Sequence, residues 1–366
     1  MNVRVRDIYN FLDGIAPFNT AMDFDNCGLL VGNMGEKIDK VLLSLDVTED
    51  VIDEAKRIGV NLIISHHPVI FTPIKRLSFD SITGMLIKNN INTICAHTNL
   101  DMASKYGVNA CLANAIGLKD TEPLHVEKVK SYKKISVFVP KGGEDKVIDA
   151  MCENGAGKLG NYSKCSFITQ GEGRFKPEEG ANPYIGEIGV CEKVPELKAE
   201  LICPEDKVSS VIKAMINAHP YSMPAYDIFN EEDSVCEEWF SCGLVGNLEN
   251  DMTSEEFAML VKRSLNCTGL RYTKVNRKIK RVAVCSGAGG DYLKFASEKE
   301  ADAFVTGEIK HHEILNANKL GLLVVDAGHF RTEDIVFTTL KNLLETEFST
   351  IKFYKSKEFT DKIKYL

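Results

Sequence analysis

NLIISHHP, residues Asn61–Pro68, and LLVVDAGHFRTE, residues Leu322–Glu333, carry the reading that decides the fold. Each opens on a short apolar run of the length of a buried strand and closes on histidine. In open α/β sheets, functional groups gather outside the carboxyl ends of such strands. The two stretches lie at opposite ends of the chain, so their histidines meet only if those ends build one sheet.

The flanking sequence supports this arrangement. KVLLSLDV (Lys40–Val47) and NTICA (Asn92–Ala96) read as strands. Helices are expected from EDVIDEAKRIG to its stop at Gly59, near Ser81–Asn90 and near Ser104–Gly117. The last third repeats the grammar with KRVAVCS (Lys280–Ser286), ADAFVT (Ala301–Thr306) and LLVVDA, each before a helix, the closing one expected over Thr332–Leu344. Strands alternating with helices of this size mean βαβ units and largely parallel sheet.

The middle differs. VFVPKGGEDKVIDAM (Val137–Met151) and LICPEDKVSSVIKAM (Leu201–Met215) align without gaps, matching Pro140 to Pro204, Val147 to Val211, Ile148 to Ile212, Ala150 to Ala214 and Met151 to Met215. Each copy reads strand, turn and helix, followed by a β-type segment, NYSKCSF (Asn161–Phe167) or PAYDIFN (Pro224–Asn230). Two such halves predict a ferredoxin-like α+β unit. The expected architecture is an α/β domain made of residues 1–126 and 239–366, interrupted by an inserted domain at 127–238.

Six of the 8 histidines lie in the flanking thirds: His66, His67, His97, His311, His312 and His329. Side-chain alternation sends His66 and His67 in opposed directions, which suits two neighbouring cations or a plain surface pair. His97 and Asp101, four residues apart, offer nitrogen and oxygen ligands of the kind that suit Zn, Mn, Fe or Co; Asp101 otherwise caps the helix that follows. His329 and Glu333 share one helix face. Glu308, Lys310, His311 and His312 fit phosphate binding, proton donation or metal ligation. The turn CSGAGGD (Cys285–Asp291) presents amides to a phosphate or is simply tight. Two ions about 3.5–4 Å apart bridge a water and bring its pKa to about 7.

Composition narrows the class. With 44% hydrophobic and 26% charged residues the 366-residue chain is of the ordinary globular kind. Its net charge of −8 argues against general nucleic-acid binding. No apolar run reaches the roughly 20 residues of a membrane span. The N-terminal MNVRVRDIYNFLDGIAPF reads as an amphipathic helix, not a signal peptide. Eleven scattered cysteines, none spaced CxxC, point to reduced thiols and a cytoplasmic protein.

FDNCGLLVG (Phe24–Gly32), SHHPVIF (Ser65–Phe71), AHTNLD (Ala96–Asp101), TGEIKHHE and DAGHFRTE, in this order, resemble the NIF-three-like family. Its bacterial members are called GTP cyclohydrolase 1 type 2 homologs or dinuclear metal-centre hexamer proteins. Two departures are small: the family often has Trp-Asp-Asn-Val where this chain has Phe24-Asp25-Asn26-Cys27, and the Gly-rich loop carries Ala288. The resemblance implies a PII- or CutA-like insert and two divalent ions, Zn, Mn, Fe or Co, on His66, His67, Asp101, His329 and Glu333. It also implies a toroidal homohexamer with its metal sites facing an internal cavity. One activity that follows is hydrolysis using a metal-bridging hydroxide, for GTP at C8 of guanine with release of formate. There His97 or His312 would shuttle protons, while Lys310 and the Ser286–Gly290 turn would hold phosphates. A metallo-phosphoesterase and a non-catalytic metal-binding assembly with a sensing insert are the other two readings.

Overall fold

The computed structural model describes residues 3–231 and 239–366. They form two compact units, one of Met1–Lys128 with Trp239–Leu366 and one of Val129–Glu238.

The first unit holds two main sheets, not the single one expected. The five-stranded sheet runs Gly28–Val31, Asn92–Cys95, Leu62–Ser65, Lys40–Ser44, Lys352–Lys355, and its last four strands are parallel. The six-stranded sheet runs Arg271–Tyr272, Leu323–Asp326, Ala303–Thr306, Ile279–Val284, Leu244–Met252, Lys119–Pro123, with a parallel centre. Each sheet takes an edge strand from the other end of the chain, Lys352–Lys355 in one and Lys119–Pro123 in the other. That pairing covers backbone donors and acceptors which an edge would leave open.

The helices interlock in the same way. Val336, Phe337, Leu340 and Leu344 of helix Val336–Glu347 share a core with Val41, Leu43 and Ile64 of the N-terminal sheet. Leu112, Ala113 and Ile116 of helix Val108–Ile116 pack with Val282, Val305 and Val325 of the C-terminal sheet. Neither end of the chain buries its apolar surface without the other, which is why both belong to one unit.

Local chemistry sets the element ends. Helix Glu49–Ile58 is capped by the Thr48 hydroxyl, which accepts from the Val51 amide, and stops at Gly59 with φ of 68°. The helix expected over Thr332–Leu344 is two, His329–Glu333 and Val336–Glu347. The break lets the first present the site while the second fills the core.

The second unit is a βαββαβ sandwich. Strands Tyr132–Pro140, Phe167–Phe175, Glu192–Pro204 and Tyr226–Glu231 pair antiparallel in the order fourth, first, third, second. Helices Glu144–Glu153 and Val208–Ala218 follow the first and third strands, giving the ferredoxin-like pattern. The two halves of the internal repeat superpose in role. Pro140 and Pro204 end strands, and Val147, Met151, Val211 and Met215 are fully buried in one core. The strand expected at Asn161–Phe167 starts only at Phe167, because Tyr162 and Leu159 are engaged in a local turn.

Among the described residues no helix is long and apolar enough to cross a membrane, and the described cysteines are all free.

Candidate metal centre

Strands Lys40–Ser44, Leu62–Ser65 and Asn92–Cys95 deliver Asp46, the His66–His67 pair and His97 from their carboxyl ends. Strands Ala303–Thr306 and Leu323–Asp326 deliver Glu308 and His329, and helix His329–Glu333 adds Glu333 one turn later. His66 and His67 do not diverge as strand alternation predicts. The strand ends at Ser65, and both Nε2 atoms approach Glu333 Oε2, at 3.9 and 3.1 Å.

Four imidazoles share one orientation. Each places Nδ1 against an outer oxygen: His66 on the Ala96 carbonyl at 2.8 Å, His67 on Asp46 at 3.0 Å, His97 on Asp25 at 2.9 Å and His329 on Glu308 at 2.9 Å. An Nδ1–H donated outward fixes each ring's orientation and turns Nε2 inward, the arrangement seen around metal-ligating histidines. His66 Nε2 is buried with no hydrogen-bond partner, an arrangement a bound cation would satisfy.

The inward atoms form two triads that share one carboxylate. His67, His329 and Glu333 form one, and His66, Asp101 and Glu333 the other. His97 joins His66 and His67 in a third grouping. The mixture of imidazole nitrogen and carboxylate oxygen suits borderline divalent cations. Gly287, at φ of 59°, lets the Cys285–Asp291 turn lie against Glu333; a Cβ there would collide with its carboxylate.

Electrostatics marks the same atoms. Burial opposes charge on His67 and His329, yet the carboxylates beside them win: Asp46 and Glu333 push His67 up to about 10, and Glu333 and Glu308 push His329 up to about 9. Burial likewise works to raise Glu333, but hydrogen bonds from His329 and His67 hold it well below the usual carboxylate range. On His66 burial is again overcome, by Asp101 and Glu333, so its pKa is raised. Burial is outweighed at Asp25 by His97 and Thr98, which keep that carboxylate strongly acidic.

All five residues expected as ligands are therefore neighbours. Of the two expected proton shuttles, His97 stands in the cluster, its ring centroid 5.1 Å from that of His66. His312 does not. It sits in the first turn of helix His311–Lys319 with its side chain 76% exposed and 3.9 Å from the Glu313 carboxylate. The Ser286–Gly290 turn also departs from expectation as a phosphate cradle. The amides of Ser286, Gly287 and Gly289 donate to Asn109, Thr332 and Thr306, so they are already used.

Residue-level reading gives no role to Asp25 and Asp46, which orient His97 and His67, and leaves Glu308, which orients His329, with three open roles. Asp46 had a usable signal: it leaves a strand paired with the one that delivers His67. A cavity of about 500 Å3 opens beside the cluster, lined by His329, Glu308, Lys310 and Glu313.

This is an α/β protein whose strand ends gather a histidine–carboxylate cluster able to hold a metal ion. The family Duf34/NIF3 (NGG1p interacting factor 3) matches residues 3–362, and the chain belongs to it. It is 42% identical over 334 residues to a Bacillus subtilis protein named "GTP cyclohydrolase 1 type 2 homolog", covering 90% of this chain and 89% of that one. A Halalkalibacterium halodurans protein of the same name is 40% identical over 356 residues, covering 95% and 92%. A crystal structure of a Bacillus cereus protein related to NIF3 is 37% identical, covers 100% of both chains and superposes with a TM-score of 0.84.

Proposed function

We propose that the protein is a dinuclear metal-dependent hydrolase acting on a nucleotide, with ring opening of GTP as the leading reaction. The observation that carries this reading is the pair of triads sharing Glu333, with four imidazoles turned Nε2-inward. Two divalent cations held there would supply Lewis-acid activation of water.

The chain's own residues do the rest. Glu333, nearly buried, contributes negative charge to both triads at once. Asp46 and Glu308 hold His67 and His329 in the ligating tautomer. His97, oriented by Asp25, offers its free Nε2 to accept and return a proton at the reacting centre. Lys310, on the wall of the adjoining cavity, meets the anionic part of the substrate. The name carried by the B. subtilis and H. halodurans relatives supports a nucleotide substrate.

The assembly is proposed as a homohexamer. Phe24 and Phe71 are exposed with their rings 6.4 Å apart, an apolar pair of the kind that self-association covers. Free cysteines throughout the described residues fit a reducing cytoplasm.

The test is incubation of Zn-, Mn-, Fe- and Co-loaded protein with a nucleotide panel, followed by mass spectrometry of the products. Formate with a ring-opened guanine product is the expected result. Phosphate release instead identifies a phosphoesterase. Silence with every metal and nucleotide identifies a non-catalytic metal-binding assembly.

A further inference from the structure

The ferredoxin-like unit contains a cavity of its own, of about 610 Å3, unrelated to the histidine cluster. That volume lies in the range of small-molecule sites. Its walls include Phe138, Phe175, Tyr184, Ile185, Glu196 and Tyr221. The sheet's other face packs Ile135, Val137, Val139, Ala199 and Leu201 against the helices. By alternation Phe138 and Glu196 project from the open face.

Three features of this cavity select a ligand class. First, its rings are inclined to one another. Tyr221 meets Phe175 at 5.9 Å and 63°, and Tyr184 at 6.1 Å and 57°. Parallel slabs would sandwich a flat base, whereas inclined walls enclose a compact rounded group. Second, a carboxylate stands among the rings. Glu196 accepts from the Tyr221 hydroxyl at 2.9 Å, and the missing Cβ of Gly173 leaves room for it across the strand. Third, the surrounding segment 171–196 carries six acidic residues against three basic ones. Of the basic pair on the cavity wall, Arg174 is held by Glu172 at 2.7 Å, and Lys176 lies 3.6 Å from Glu178.

The frame is built to hold its shape. His219 is buried, donates from Nε2 to the Phe138 carbonyl at 2.9 Å, and accepts the Tyr221 amide on Nδ1 at 3.0 Å. It therefore ties two of the aromatic walls together. Tyr184, by contrast, is 65% exposed, a large ring left with one face open.

We propose that this cavity binds a small organic cation carrying an alkylated ammonium group. Aromatic faces attract such a cation through the ring quadrupole, and Glu196 adds a full negative charge. The apolar remainder of the ligand would lie along Phe138 and Ile185.

The test uses full-length protein and two probes of the same shape, choline and its neutral isostere 3,3-dimethylbutan-1-ol, with titration calorimetry or ligand-observed NMR as the readout. Choline is expected to bind saturably, and the neutral isostere at least about tenfold more weakly. Tyr184→Ala and Glu196→Gln are each expected to weaken choline by about fivefold or more, while metal occupancy at the histidine cluster and the unfolding midpoint stay unchanged. Equal binding of the two probes would overturn the proposal. So would choline affinity that neither variant alters, or no choline binding while guanosine monophosphate does bind and loses affinity in Tyr184→Ala. Because the histidine cluster is read separately by its metal content, failure here leaves the hydrolase reading untouched.

Discussion

Glu333 concentrates the residue-scale chemistry. It is nearly buried, lies 2.9 Å from His329 Nε2 and 3.1 Å from His67 Nε2, and belongs to both triads. Glu333→Gln keeps the shape and removes the charge, so the two metal equivalents proposed above should weaken together, as read by equilibrium dialysis with Mn or Zn. His125→Ala, which removes a ring stacked on Phe295 away from the triads, should leave occupancy unchanged. The orienting carboxylates act at one remove. Asp46→Asn should cost about 10–100-fold in metal affinity, since loss of the partner frees His67 to rotate and change tautomer. Protonation gives a further prediction. With His67 near 10 and His329 near 9, both carry protons at pH 7 in the metal-free protein. Cation binding should then release about two protons. Affinity must therefore rise with pH through that range and fall as pH drops. Calorimetry in buffers of different ionisation enthalpy measures the proton count directly.

At the scale of elements, the insert's repeat makes a paired prediction. Met151 and Met215 occupy matching positions on helices Glu144–Glu153 and Val208–Ala218, and both are fully buried in one core. Met151→Ala and Met215→Ala should each cost about 2–5 kcal/mol by denaturant unfolding. A cost confined to one of them would show that the halves differ in packing despite their common pattern. Much of this level was legible beforehand. Alternating apolar runs and Gly stops marked the parallel strands and the helix Glu49–Ile58, because those signals are local. Strands Lys352–Lys355 and Lys119–Pro123 were not legible. Both are short and carry lysine or acidic residues, and they are strands because a neighbouring edge pairs with them.

For the whole molecule, the entry and exit of the insert lie side by side. The Cys242 amide donates to the His125 carbonyl at 3.0 Å, and the Leu124 amide to Gly243 at 3.1 Å. Joining the chain across residues 129–238 with a short linker should therefore leave a folded unit that still binds metal, read by cooperative thermal unfolding and metal content. Loss of cooperative unfolding would mean that the two units depend on each other. The amino-acid sequence by itself determined the strand–helix grammar, the internal repeat and which histidines and carboxylates stand at strand ends, since each follows from patterns within a few residues. Tertiary structure alone decided that the two ends build two interlocked sheets, because edge pairing and core sharing join residues remote in the chain. It also decided that His97 stands with the candidate ligands while His312 faces solvent, although both follow strands. A histidine's role depends on where its Nδ1 finds an oxygen, and for His67, His97 and His329 that oxygen comes from another segment of the chain.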